Sequence, residues 1–199
     1  MLRFQTLKSD APTRRAFLLM PFAFAGLVAV SSRKERPLPD ASEEGSGSEI
    51  TLVIFSDSGE REQVVRVRKI VKTDAEWREL LSPEEFEVTR RKGTEAAFAN
   101  RYWDNHESGV YRCAGCGNAL FRSQEKFESG TGWPSFWAPI AEQNIRTVTD
   151  MSLFMERVEV LCAKCDAHLG HLFKDGPAPT HLRYCMNSAA LRFKRTLPL

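Results

Sequence analysis

Along the folded part of the chain the hydrophobic pattern changes period twice. Glu49 to Phe55 concentrates β-favouring residues (Ile50, Leu52, Val53, Ile54, Phe55), and the turn cluster Ser56-Asp57-Ser58-Gly59 follows. Valines then alternate with arginines from Val64 to Val71. Successive strand side chains face opposite sides, so the alternation predicts a hairpin whose arginine side meets water. The period then lengthens. Thr73 and Glu76 stand in the capping-box pattern, opening a helix with Trp77, Leu80 and Leu81 as its apolar face. Ser82 caps a second short helix with Pro83 at its first position, and Gly93 ends it. Thr94 to Asn100 reads as a further turn.

From about Tyr102 onward the period shortens again. Short apolar runs punctuated by Gly, Pro, Asn and Asp predict strands at Tyr111–Arg112, Ala119–Phe121, Phe136–Ile140, Ile145–Val148, Leu153–Leu161 and Ala189–Phe193. The expectation is a mainly β domain with short helices leading into it.

Two N-terminal stretches belong to neither pattern. Arg14-Arg15 precedes an apolar run from Ala16 to Val30. About fourteen apolar residues fall short of the roughly twenty that span a bilayer, and suit the apolar part of an export signal. The arginine pair before Phe17-Leu18 resembles a twin-arginine signal. An uncleaved membrane anchor is the alternative, so a membrane association is expected only if the segment is retained. Ser31 to Ser48, rich in Ser, Gly, Pro, Glu and Lys, reads as a disordered linker. The expected order is signal or anchor over 1–30, linker over 31–48, accessory hairpin over 49–71 and the main domain over 72–199. The expected location is outside the cytoplasm, in the periplasm.

Composition adds one exclusion. With 28 basic and 26 acidic residues the 199-residue chain has a formal net charge of +2, which gives no electrostatic reason to bind nucleic acid. The thirteen Phe and four Trp point to a well-furnished core or an aromatic-lined pocket.

The five cysteines divide unequally. Cys113-Ala114-Gly115-Cys116 and Cys162-Ala163-Lys164-Cys165 are two knuckles, each able to aim two sulfurs at one point, with Gly115 and Gly117 letting the backbone curl. Together they make a tetrahedral four-cysteine site for one structural Zn²⁺, with no open position for water or substrate. Two rivals remain: redox disulfides, given an oxidising compartment, and a site made by Cys162, Cys165, His168 and His171. The second would leave Cys113 and Cys116 unexplained. Cys185 is left over, flanked by Arg183, Tyr184 and Asn187.

Three more stretches are weak signals singly. Ser129-Gly130-Thr131-Gly132-Trp133-Pro134-Ser135-Phe136 is also what a tight turn with a core Trp looks like. His168-Leu169-Gly170-His171 is also what two structural histidines look like, and Cys185 alone could be an inert core thiol. In order along the chain, however, the first knuckle, SGTGWPSF, the second knuckle running into CDAHLGHLF, and RYCMNSAALRF resemble the methionine sulfoxide reductase B family closely. The resemblance runs from about Phe98 to Phe193, more loosely from Lys72, and leaves out the hairpin.

The resemblance implies two antiparallel sheets, a β-tent, with the zinc remote from the active thiol. It implies reduction of methionine-R-sulfoxide in peptides and proteins. Cys185 would be the nucleophile that ends as a sulfenic acid, with Arg183 helping to lower its pKa and contacting the substrate. His171 would be the general acid, since a histidine ordinarily titrates near neutral pH. His168 and Asn187 would hold the oxygen and ordered water, and Trp133 would wall the methyl group. Many relatives carry a resolving cysteine two residues before this Trp, where the present chain has Thr131. With four cysteines on zinc, none remains to resolve Cys185, and a thioredoxin-like or small-thiol reductant would be needed. A zinc-stabilised β-tent that binds without turnover is the alternative from another class. Disulfide exchange is disfavoured once both Cys-x-x-Cys pairs hold metal.

Overall fold

In the computed structural model, residues 47–150 and 157–196 are described. The expected signal, nearly all of the linker and the first part of the strand expected at 153–161 lie outside them. Within the described residues, β1 (Glu49–Phe55) and β2 (Arg61–Arg68) form a hairpin. The short helices α1 (Asp74–Leu80) and α2 (Pro83–Arg91) follow. The rest is two antiparallel sheets. One joins β3 (Gly109–Cys113), β4 (Ala119–Arg122) and β11 (Leu191–Arg195) in the order β11-β3-β4. The other joins β5 (Lys126–Phe127), β6 (Ser135–Phe136), β7 (Ile145–Asp150), β8 (Arg157–Cys162), β9 (His168–Phe173) and β10 (Arg183–Met186) in the order β5-β6-β10-β9-β8-β7. This is the mainly β, two-sheet architecture with leading helices that was expected.

The two sheets meet through aromatic rings. Phe121 of β4 stacks on Phe136 of β6 with centroids 4.4 Å apart, and Tyr111 of β3 meets Phe136 edge-on at 5.0 Å. Tyr184 of β10 closes on Phe121 at 5.7 Å. All four side chains are buried, and burying one ring of this size is worth about 2–3 kcal/mol. The helices cover one flank. Thr73 and Glu76 form the capping box of α1, and Ser82 and Glu85 that of α2, so each helix starts where its first free N–H groups find acceptors.

Local details depart from expectation. Strand β2 begins at Arg61 rather than Val64, because its register with β1 runs Glu49↔Arg68 to Phe55↔Arg61. Trp77 and Leu81 are buried, but Leu80 points outward at 53 % exposure. Helix α2 ends on Lys92 in the left-handed region (φ 58), one residue before Gly93, whose N–H returns to Glu87 O. Of the strand expected over Phe136–Ile140 only Phe136 is sheet, as the second residue of β6 (Ser135–Phe136); Pro139 has no N–H to give a ladder.

Three strands were not expected, β5, β9 and β10, and the last two carry the candidate chemistry. Gly170, in the middle of β9, would have broken a strand pattern. A Cβ there would sit 2.1 Å from Cys185 O, so glycine is what lets β10 lie against β9.

The hairpin is tied to the two-sheet body through its β1 edge. Asn144 accepts from Val53 N at 2.9 Å and donates to Val53 O at 2.8 Å, acting as a one-residue strand. Val53 and Phe55 bury against Val110, Ala119 and Ile140. Among the described residues no helix is long and apolar enough to cross a membrane.

Candidate functional site

Strand β10 lies between β9 and β6, and the register places Cys185 directly opposite His171 on one side and Ser135 on the other. Residues directly opposite in antiparallel strands project to the same face, so the thiol, the imidazole and the hydroxyl share one surface. The alternating residues Tyr184 and Met186 turn into the core. A cavity of about 170 Å³ opens there, with Cys185, His171, Asn187 and Trp133 in its lining. Thr94, Arg157 and Phe173 also line it, with Gly170 of β9 and Met186 of β10.

The thiol is half-buried, and burial pushes its pKa up from the ordinary thiol value. The Arg183 charge and hydrogen bonds from Thr131, Ser135 and Arg183 pull the other way without cancelling it. The help expected from Arg183 is therefore present and outweighed by desolvation. Arg183 does not line the cavity. It is buried, grips Asp175 through two 2.8 Å bonds and stacks over Phe173 at 4.3 Å, a paired geometry that a lysine could not reproduce.

The two histidines take different positions. In a regular strand, residues three apart face opposite sides. Strand β9 has one extra residue against β8, where Val160 pairs Gly170 but Leu161 pairs His168. This bulge turns His168 toward His171, with ring centroids 5.3 Å apart. His168 is 2 % exposed and lies outside the cavity lining. Its Nδ1 meets Glu159 Oε1 at 2.7 Å, and Lys92 Nζ donates to the other oxygen at 2.8 Å. Burial holds the His168 pKa below its usual value against the pull of Glu159. A neutral ring paired in this way carries its proton on Nδ1, and His168 lies behind His171 rather than at the cavity surface.

Trp133 is held by its indole N–H, which donates to Glu95 O at 3.1 Å. The Asn187 side chain is fixed at both ends: Oδ1 accepts from Glu95 N at 3.1 Å, and Nδ2 donates to Leu169 O at 3.1 Å. Thr131 stands beside the Cys185 thiol in a hydroxyl cluster, 2.8 Å from Ser129 Oγ, which in turn accepts from Ser135 Oγ at 2.8 Å.

Arg157, Phe173, Ser135, Glu159 and Glu95 were not singled out from the sequence. The alternation Arg157-Val158-Glu159-Val160 does put Arg157 and Glu159 on one face. Which face became legible only once β8 had a partner.

The four remaining cysteines form a second centre. Every sulfur lies within 4.8 Å of the others, with Cys113 Sγ 3.7 Å from Cys165 Sγ and Cys116 Sγ 3.6 Å from Cys162 Sγ. Sulfurs bound tetrahedrally to one Zn²⁺ at about 2.3 Å would stand roughly 3.8 Å apart. The spacing suits a shared cation, and it is far longer than the roughly 2.05 Å of a disulfide. The rival set with His168 and His171 is not formed, since those rings serve β9 and the cavity. The left-handed turn residue of each knuckle is Gly117 (φ 71) and Asp166 (φ 54). Gly115 is not needed for the curl; it makes room for the Trp77 ring, 3.3 Å from where a Cβ would be. Asn118 Nδ2 donates to Cys162 Sγ at 3.6 Å from outside the cluster. Burial pushes Cys162 up, but hydrogen bonds from the three neighbouring thiols hold it well below its ordinary value, while Cys113, Cys116 and Cys165 are held above theirs.

The arrangement can offer a thiolate to an electrophilic centre on an apolar side chain, and hydrogen-bond donors to an oxygen on that centre. Comparison with known proteins agrees with that chemistry. The family described as SelR domain matches residues 81–195. A "Peptide methionine sulfoxide reductase MsrB" of Herminiimonas arsenicoxydans is 55% identical over 128 residues, 64% of this chain and 93% of that protein. The protein of the same name from Hahella chejuensis is 57% identical over 125 residues, 63% of this chain and 90% of its own. The one from Methanosarcina barkeri is 52% identical over 127 residues, 64% of this chain and 89% of its own.

Proposed function

The chain belongs to the SelR family, and from that membership we propose that it reduces methionine-R-sulfoxide in peptides and proteins to methionine through a sulfenic acid on Cys185. The broader class, a peptide methionine sulfoxide reductase and hence an oxidoreductase, follows from relatives at 55% and 57% identity. The observation that carries the finer reading is the register that sets Cys185 opposite His171 beside the Trp133 wall.

In this reading the Cys185 thiolate attacks the sulfoxide sulfur. His171 supplies the proton that the oxygen needs as its bond to the substrate sulfur breaks, and the amide of Asn187 holds that oxygen. Trp133 and Phe173 accept the apolar part of the side chain. The Cys185–substrate S–S bond made in the attack then breaks as the protonated oxygen passes to the cysteine sulfur, so Cys185 ends as a sulfenic acid, the substrate leaves as a thioether, and the cysteine sulfur gives up the two electrons the substrate gains. One external thiol then condenses with the sulfenic acid, releasing water and forming a mixed disulfide. A second thiol frees Cys185 as the external disulfide departs. Thr131, where a resolving cysteine would stand, offers no sulfur for an internal route.

Cys113, Cys116, Cys162 and Cys165 would hold one Zn²⁺, which supplies charge neutralisation and a crosslink and leaves no ligand position for chemistry. Export is proposed from Arg14-Arg15 and the apolar run after it, with a thioredoxin-like or small-thiol reductant outside the cytoplasm.

The test is a dithiothreitol-supported assay on a mixture of the two sulfoxide epimers, with wild type and Cys185→Ser. One epimer should be consumed by wild type and neither by the variant. Activity surviving Cys185→Ser, or a disulfide between Cys185 and a knuckle cysteine after turnover, refutes the scheme.

A further inference from the structure

Two walls of the cavity are held by one residue that lines neither. Glu95, in the loop after α2, gives its backbone N–H to Asn187 Oδ1 and takes the Trp133 indole N–H on its backbone carbonyl, each at 3.1 Å. Its side chain accepts the backbone N–H of Ser188 at 2.6 Å and of Ala189 at 2.8 Å, with Asn100 Nδ2 at 2.7 Å. Ser188 and Ala189 open the 3-10 turn that directly follows Asn187, and Asn187 does not cap that turn with its own side chain. Glu95 is therefore the cap, supplied from about ninety residues away. It is 7 % exposed, and its neighbour Thr94 is the one that reaches the cavity.

We propose that Glu95 is the positioning residue of this site, locking the Asn187 amide and the Trp133 ring into one fixed relation around the Cys185 cavity. The proposal rests on the reductase reading above and adds how the oxygen-binding donor is oriented. The Asn187 amide could sit either way round, but only one way suits its neighbours. A flipped amide would set its NH₂ against the Glu95 N–H and its carbonyl against Leu169 O. Both contacts would be repulsive. With Oδ1 on Glu95 and one N–H on Leu169 O, Asn187 has a single N–H left, so the group it can offer a substrate is a donor. That is the polarity a sulfoxide oxygen requires.

The side chain must be a carboxylate for the same reason. Three donors converge on it, and its two oxygens offer about four lone-pair positions and no hydrogen. Glutamine has the same shape but would present an NH₂ to one of the three. The turn after Asn187 would loosen, and Asn187 and Trp133 would move independently.

The experiment compares wild type, Glu95→Gln, Asn187→Ala and the double variant, with dithiothreitol as reductant. It reads kcat and KM on the preferred epimer, the rate on the other epimer, bound metal and the rate of Cys185 alkylation. Glu95→Gln should lower kcat/KM on the order of ten- to a hundredfold, the scale of a small misplacement of reacting groups, and narrow the preference between epimers. Metal content and Cys185 alkylation should stay as in wild type. In the Asn187→Ala background the same change should cost far less, because the amide it orients is gone. Should Glu95→Gln lose its metal, Asn100→Ala removes one donor at the outer edge and should give a several-fold drop with metal intact. Wild-type kinetics in a folded Glu95→Gln or Asn100→Ala variant, or full multiplicativity with Asn187→Ala, overturns the assignment. A wild-type protein inert toward both epimers overturns instead the reductase reading beneath it.

Discussion

Cys185 sits where two opposing effects meet. Burial raises its pKa, while Arg183 and the hydroxyls of Thr131 and Ser135 favour the thiolate. Thr131→Val keeps the volume and removes one donor, so alkylation of Cys185 near neutral pH should slow, on the order of tenfold for one charge-assisted bond. The rate–pH profile should move toward alkaline pH, and Thr131→Ser should restore it. A profile identical in all three proteins would remove Thr131 from the thiolate's surroundings. His168 gives a second residue-level expectation. Its pKa in the fold lies below the usual 6.5 because burial outweighs the Glu159 pull. Between that lowered value and 6.5 the unfolded chain binds the extra proton, so the contribution to stability is whole above 6.5 and is lost as pH falls through the window. Glu159, lowered from 4.5 because Lys92 and His168 together outweigh burial, acts in the same direction at lower pH. Urea midpoints should therefore fall on acidification, and His168→Gln should flatten the limb that starts at 6.5. A limb unchanged in that variant would assign it to other groups.

At the scale of elements, strand pairing decides what the cavity contains. Neither β9 nor β10 reads as a strand in the sequence, since Gly170 and the two histidines interrupt the expected alternation. Their pairing nevertheless puts His171 across from Cys185, and the bulge at Leu169 brings His168 behind it. The hairpin β1–β2, in contrast, was plain from its valines and arginines, but nothing local said where it would dock. Asn144 does that work with three bonds, to Val53 N, Val53 O and Ala119 O. Asn144→Ala leaves those groups without their partner, at a cost of about 2–4 kcal/mol. Amide exchange at Val53 should speed up while the hairpin's own ladder and the sulfoxide reductase rate persist. Undiminished protection at Val53 would mean that the apolar contacts of Val53 and Phe55 suffice.

Over the whole molecule, the cysteine cluster joins parts that the aromatic core also joins. Cys113 ends β3 of the three-stranded sheet and Cys116 follows it, while Cys162 ends β8 of the other sheet and Cys165 stands in the turn before β9. A metal ion held there would close a loop of contacts between the sheets, so stripping it with a chelator under reducing conditions should lower the thermal midpoint and loosen the aromatic interface. Near-ultraviolet circular dichroism together with the metal content of the folded fraction measures both. An unchanged midpoint in metal-free protein would leave the cluster without a structural role.

The sequence by itself determined features whose partners lie close along the chain. Both capping boxes and both knuckles join residues three apart, and Thr131 is read two residues before Trp133. The lone status of Cys185 came from counting. Only the tertiary structure decided which strands are neighbours, and with them which side chains share a face. Register between β8, β9, β10 and β6 depends on backbone groups tens of residues apart and on a glycine that permits close approach. Glu95 shows the limit most clearly: in the sequence it is one acid in an irregular loop, and only the fold brings Asn187, Ser188, Ala189 and Trp133 to it.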